Sequence, residues 1–102
     1  MIQHIDKAID FDKAIANPKA LVDFFATWCG PCSMLSPVVE KVAADHPELT
    51  VIKVDVDQAP ELAARYGVYS IPALFYIEDG KLVDKRVGYI DERSVKAFCR
   101  LK

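Results

Sequence analysis

The segment Ala20-Leu21-Val22-Asp23-Phe24-Phe25-Ala26-Thr27-Trp28-Cys29-Gly30-Pro31-Cys32 sets a buried strand directly before a close cysteine pair. Ala20 to Ala26 is a nearly unbroken apolar run, as expected of a strand covered on both faces. Beyond Cys32 the hydrophobic period changes: Met34, Leu35, Val38, Val39, Val42 and Ala43 follow helical spacing to about Asp45. Pro37 lies inside that helix and predicts a kink, because it deletes a backbone donor and crowds the preceding turn. Three residues apart at a helix start, Cys29 and Cys32 lie on one side, within disulfide reach. The unpaired N–H groups and positive dipole end of the helix favour a thiolate and lower the pKa of the first cysteine. Cys29, at the tip, is the expected nucleophile, and Cys32 is expected to be less exposed, shielded by the helix body.

Working outward, Ile2 to Ile5 reads as a short strand and Asp10 to Ala16 as a short helix, with Phe11 and Ile15 one turn apart and Asn17-Pro18 as a stop. Val51 to Val56 is a β-branched strand with Lys53 embedded in it. Asp57 is expected to cap a helix that has Pro60 in its first turn and closes at Gly67. Ala73 to Ile77 is a strand, and Asp79-Gly80 signals a hairpin into Lys81 to Val87, whose charges suit an exposed edge. Asp91 caps a last helix burying Val95, Phe98 and either Cys99 or Leu101. The order β-α-β-α-β-α-β-β-α implies an α/β fold: a sheet parallel in its first part, made mixed by the hairpin, with helices on both faces.

A chain of 102 residues, 52% hydrophobic and 27% charged, fits one domain with a single core. Its net charge of −2 supplies no basic stripe for a phosphate backbone, so nucleic acid is not an expected partner. Ala20 to Trp28 is too short to span a bilayer, and Met1 to Asp6 lacks the basic-then-apolar layout of a signal peptide. A cytoplasmic location without membrane association is therefore expected.

Three cysteines cannot all pair within the chain. In a reducing cytosol a close pair is more often catalytic or metal-binding than structural. Structural zinc needs about four ligands, usually from two such pairs. The chain has no second C-x-x-C, and Cys99, His4 and His46 show no ligand spacing, which favours redox chemistry over a metal site. The four glycines (Gly30, Gly67, Gly80 and Gly88) form neither a G-x-G-x-x-G nor a phosphate-binding loop, so no nucleotide cofactor is expected to bind.

Val22 to Cys32 resembles the active-site segment of the thioredoxin family. The resemblance continues through Pro37, Lys53-Val54-Asp55, Tyr66-Gly67-Val68, Ser70-Ile71-Pro72 and Val87-Gly88, in order along essentially the whole chain. It implies a thioredoxin fold over residues 1–102: a central mixed five-stranded sheet flanked by four helices. It also implies a protein-disulfide reductase in which Cys29 attacks a substrate disulfide and Cys32 resolves the mixed disulfide. Electrons would come from a separate thioredoxin reductase, which holds the NADPH and FAD. The other expected partners are disulfide-bonded proteins, and the chain is expected to act as a monomer. Gly30-Pro31 differs from the fillings of glutaredoxins and protein disulfide isomerase. With no histidine between the cysteines to stabilise the thiolate, a reductant is favoured.

The resemblance assigns further roles, each with a plainer alternative. Asp23 would lie beneath the cysteines and move the Cys32 proton; otherwise it is a satisfied turn-facing or edge carboxylate. Lys53 would be its partner; otherwise it is a solvated lysine. Pro72 would follow a cis Ile71–Pro72 bond packed on the cysteines, freeing the Ile71 backbone for an extended substrate; otherwise it is a strand-start proline in the common trans form. Trp28 with Gly30, Pro31, Ile71, Pro72 and Gly88 would form a flat docking patch; otherwise Trp28 is core. His4 and His46 read as solvated surface residues, and Cys99 as a buried small hydrophobe. Phe25, where Trp is common, and Ser33, Ala73 and Tyr69 depart from the family pattern and bear on partner preference. The rival functions are a redox-inert binding scaffold and a small metal-binding protein. The intact Cys29, Cys32, Asp23 and Pro72 argue against the scaffold.

Overall fold

The computed structural model describes residues 2–102. Along the chain run β1 (Ile2–His4), α1 (Ala8–Ala14), β2 (Ala20–Phe25), α2 (Gly30–Asp45), β3 (Thr50–Asp55), α3 (Pro60–Arg65), β4 (Ala73–Glu78), β5 (Lys81–Val87) and α4 (Glu92–Phe98). The strands form one sheet in the order β1-β3-β2-β4-β5. β1, β3 and β2 are parallel, while β4 and β5 pair antiparallel. The expected mixed five-stranded sheet with four helices is thus the observed fold.

Side-chain alternation along the central strands divides the core into two layers. Val22, Phe24, Ile52, Val54, Phe75 and Ile77 pack with Phe11, Ile15 and Leu62 of the α1 and α3 side. Leu21, Val51, Leu74 and Tyr76 face the other way, onto Leu35, Val39 and Val42 of α2 and Val95 and Phe98 of α4. A strand buried on both faces can carry a polar side chain only where the fold gives it a reason, and β2 carries one, Asp23. At the sheet's edge every residue of β5 is exposed, so its charges stay in water, as its sequence implies. Among the described residues no helix is long and apolar enough to cross a membrane.

Several local expectations are corrected. The first helix begins and ends two residues earlier than the sequence pattern suggests. Lys7 holds the extended N-cap position without a side-chain cap, so the start carries no capping residue to read. Asn17 Nδ2 donates to the Ala14 carbonyl at 2.7 Å, which closes the helix ahead of the proline stop. The third strand starts at Thr50 rather than Val51, and the first stops at His4. Asp57 does not cap the third helix: Ala59 holds that place, and the Asp57 carboxylate is engaged elsewhere. His46 is not a free surface ring; its Nδ1 lies 3.0 Å from Glu48 Oε2. Met34 stands on the solvent side of α2, 62% exposed, because Leu35 and Val39 fill the helix's underside. Asp91 does cap the last helix, accepting from the Ser94 amide at 2.8 Å, and Cys99 is fully buried.

The packing makes a paired test. Leu35→Ala, which hollows the seam between α2 and the sheet, is expected to lower unfolding stability by about 2–5 kcal/mol. Met34→Ala, one residue earlier on the exposed side, is expected to change it by no more than about 0.5 kcal/mol. Urea denaturation of both variants checks this.

Candidate active site

The site is assembled where β2 leaves the sheet and α2 begins. Cys29 is the N-cap of α2, in extended conformation, and Pro31 occupies the first turn, where its missing N–H costs no helical hydrogen bond. The Cys29 and Cys32 sulfurs are joined in a disulfide, with Cα atoms 5.3 Å apart. The Cys32 backbone amide donates to Cys29 Sγ at 3.3 Å. That amide is one of the donors the helix leaves unpaired, so the first sulfur sits where negative charge is favoured. The expected difference in exposure is absent: Cys29 is 6% and Cys32 is 5% exposed. Ala26, Phe25, Val56 and Ile71 pack around the pair and cover the tip as well as the helix body. The asymmetry between the cysteines therefore lies in hydrogen bonding rather than burial.

The loop before β4 closes over the pair. The Ile71–Pro72 bond is cis, and the Ile71 carbonyl oxygen lies 3.8 Å from Cys29 Sγ. The Gly88 amide donates to the Pro72 carbonyl at 2.8 Å, tying this loop to the end of β5. Gly88 has φ +96°, a conformation that side chains disfavour. At Gly30 an added Cβ would meet nothing within 4 Å, so no internal packing requires glycine there. Trp28 is not core. It is 70% exposed and held by its indole N–H, which donates to Asp57 Oδ2 at 2.8 Å. Sequence reasoning missed this role for Asp57, because Asp ahead of Pro60 also satisfies a helix-capping pattern.

Where β2 and β3 run side by side, the sheet carries a charged row. Asp23 pairs in register with Lys53 of β3 and with Leu74 of β4, and His4 of β1 stands beside Lys53. Asp23 is 1% exposed, and its Oδ1 has no hydrogen-bond partner. Burial raises the Asp23 pKa from 3.8 to about 6, against the opposing charge of Lys53. Neither plain alternative holds: Asp23 is central rather than at an edge, and Lys53 is buried rather than solvated. Yet the two form no ion pair. Lys53 Nζ donates to Ser36 Oγ at 2.8 Å and lies 4.9 Å from the centre of the Phe25 ring. Ser36 was not legible as a site residue; only its place one helical turn after Cys32 signals it. Cys99 is remote from this chemistry, its pKa pushed to about 12 by burial. Among the described residues no group of three or more His, Cys, Asp or Glu side chains is arranged to hold a metal ion.

Comparison with known proteins agrees with this geometry. The thioredoxin family model matches residues 2–100. The thioredoxin of Mycoplasmoides gallisepticum is 44% identical over 100 residues, covering 97% of this chain and 100% of that one. The thioredoxin of Staphylococcus aureus strain Mu50 is 51% identical over 81 residues, 78% of each chain. Among solved structures, a thioredoxin variant from Halobacterium salinarum NRC-1 superposes with a TM-score of 0.91 at 38% identity, covering 97% of this chain and 88% of that one. Fasciola hepatica thioredoxin gives 0.88 at 39% identity, covering 98% and 99%. Likeness at this level, in sequence and in backbone alike, means that the chain belongs to the thioredoxin family and reduces protein disulfides by dithiol–disulfide exchange.

Proposed function

We propose that Cys29 is the attacking thiolate, Cys32 the resolving thiol and Asp23 the group that takes the Cys32 proton. The observation that carries this assignment is the Cys32 amide aimed at Cys29 Sγ, which favours negative charge on the first sulfur alone. Cys29 thiolate attacks one sulfur of a substrate disulfide, forming a mixed disulfide and expelling the other sulfur as thiolate. Asp23 carboxylate accepts the Cys32 proton, and the resulting Cys32 thiolate attacks Cys29 Sγ. The second substrate sulfur leaves reduced, and two electrons have passed from the pair to the substrate. A carboxylate with a pKa of about 6 is a better base near neutrality than an ordinary Asp and is still ionised there.

Trp28, Gly30, Pro31, Ile71, Pro72 and Gly88 form the docking face in this reading. Its support is the exposure of Trp28 and Pro31, the open space at Gly30 and the nearness of the Ile71 carbonyl to Cys29. An extended substrate segment pairing with the Ile71 backbone would bring its sulfur to Cys29. Lys53 tunes Asp23 by charge. The chain acts as a single-domain monomer in the cytoplasm and binds no cofactor of its own. An NADPH-dependent flavoprotein, thioredoxin reductase, reduces it after each turnover. A similar solved structure, 30% identical, concerns the thiol resolving mechanism in yeast mitochondrial 1-Cys peroxiredoxin via glutathione and thioredoxin systems, in keeping with protein disulfides as substrates.

NADPH consumption with a thioredoxin reductase and a disulfide-bonded protein tests the assignment. Cys29→Ser is expected to abolish turnover without trapping substrate, whereas Cys32→Ser is expected to stop turnover and accumulate a mixed disulfide on non-reducing gels. Trapping by Cys29→Ser instead would reverse the two roles. Asp23→Asn is expected to leave the first attack nearly intact and slow resolution by about a hundredfold, the low end of what a positioned proton acceptor contributes. Stopped-flow traces in which the mixed disulfide decays at the wild-type rate would reject the role of Asp23.

The raised Asp23 pKa also has a thermodynamic consequence. Between 3.8 and about 6 the folded state binds more protons at Asp23 than the unfolded state does, so stability falls as pH rises through that window. At pH 7 the ionised, buried carboxylate is expected to cost about 3 kcal/mol. Asp45, Glu48 and Asp91, held below the usual carboxylate range chiefly by Lys41, by the Glu48 amide and by Ser94 respectively, act in the opposite direction. The measurement is therefore the stability difference between Asp23→Asn and wild type, both oxidised. It is expected to grow in the variant's favour from pH 4 to pH 7.

A further inference from the structure

The Lys53 ammonium and the Asp23 carboxylate are register neighbours on adjacent parallel strands, both buried, with an oxygen of Asp23 unpartnered. Opposite charges so placed would ordinarily close into a hydrogen-bonded pair, since a buried acceptor without a donor carries a desolvation penalty. Here they do not close. The ammonium instead reaches the hydroxyl of Ser36 on α2, at 2.8 Å, with the Phe25 ring 4.9 Å away. The other charged or titratable neighbours offer no stronger hold. His4 of β1, and Asp6 and Asp55 at the ends of β1 and β3, line with Lys53, Phe25 and Gln58 a cavity of about 300 Å³ open to solvent. From β4 the neighbour of Asp23 is apolar Leu74, and from α2 the chemistry-bearing groups are Ser36 and the cysteine pair.

We propose that Ser36 is a positioning residue for disulfide exchange: its hydroxyl anchors the Lys53 ammonium against Phe25 and holds it off Asp23, leaving that carboxylate free to bind and release a proton. The inference rests on the reading of Asp23 as proton acceptor for Cys32, and it extends that reading by naming what sets the strength of the base. Without the hydroxyl, the ammonium loses its one side-chain acceptor, and the unpartnered Asp23 oxygen is the buried acceptor left on the same face. Direct pairing then favours the ionised carboxylate and weakens it as a base. Alanine suits a helix interior, so Ser36→Ala removes the hydroxyl while leaving α2 formed.

The test is the titration of the Asp23 carboxyl by carbon-13 NMR in the oxidised protein, where the paired cysteines do not titrate. Ser36→Ala is expected to lower the Asp23 midpoint by about one pH unit or more, the low end of what an adjoining opposite charge does. Ser36→Thr, which keeps the hydroxyl, is expected to restore it. In a Lys53→Met background, Ser36→Ala is expected to have no further effect, because the serine acts through the lysine. An unchanged or raised midpoint in Ser36→Ala, or the same drop in the Lys53→Met background, overturns the proposal. The pH profile of mixed-disulfide resolution in reduced Ser36→Ala is expected to shift with the midpoint. An unmoved midpoint while Asp23→Asn still slows resolution defeats the role of Ser36 alone. A lowered midpoint with resolution indifferent to Asp23→Asn upholds the anchoring and defeats the reading of Asp23.

Discussion

Everything at this site depends on the junction at which a strand with no exposed face delivers the chain to the N-terminus of a helix. β2 is held between β3 and β4, and the first turn of α2 follows its end within a few residues. Cys29 is placed as the N-cap by that geometry, and a cap side chain receives the amides that the helix cannot satisfy internally. A sulfur in that position accepts the amide hydrogen bond most strongly, and gains from the helix dipole, when it is a thiolate. The same junction packs Leu35, Val39 and Val42 onto the sheet, so the layer that stabilises the fold also fixes the angle at which the cysteines are presented. Stability and reactivity are consequences of one docking event.

Between β2 and β3 the fold carries an electrostatic load that stability alone would not select. A buried carboxylate with an unpaired oxygen is destabilising above its own pKa, and replacing such groups by apolar ones is often neutral or better. Asp23 and Lys53 are therefore best understood through chemistry. Their separation leaves each incompletely satisfied, and that incompleteness keeps the carboxylate basic near neutral pH. A closed pair would be cheaper for the fold and poorer for the proton transfer proposed for Asp23. The Ser36 hydroxyl, at 2.8 Å, and the Phe25 ring supply the competing attraction that keeps the pair open.

The outer surface follows a different rule. Trp28 is large, apolar and mostly exposed, yet it is not loose, because Asp57 holds its indole N–H. The loop carrying Ile71 and Pro72 is tied through Gly88 to the end of β5. In the proposed docking role, an apolar face fixed in this way would lose little freedom when a substrate covers it, which favours binding without demanding a particular side-chain sequence from the partner.

Alternation, helical spacing and turn chemistry in the sequence by themselves determined the order of elements, the mixed sheet, the charged edge of β5 and the cysteine pair at a helix start. Those signals are local, and long periodic elements such as β2 and α2 carry them most strongly. The weaker boundaries moved: α1 has no capping side chain to announce it, and Asp57, apparently a cap, turned out to hold Trp28. Only the tertiary structure decided which groups meet across elements. That Cys29 and Cys32 are equally buried reflects packing by residues from other elements, Val56 and Ile71 among them. That Lys53 reaches Ser36 rather than Asp23 depends on how α2 packs against the sheet. Contacts between residues distant in the chain are set by packing, and no periodicity within a segment encodes the distance to another segment.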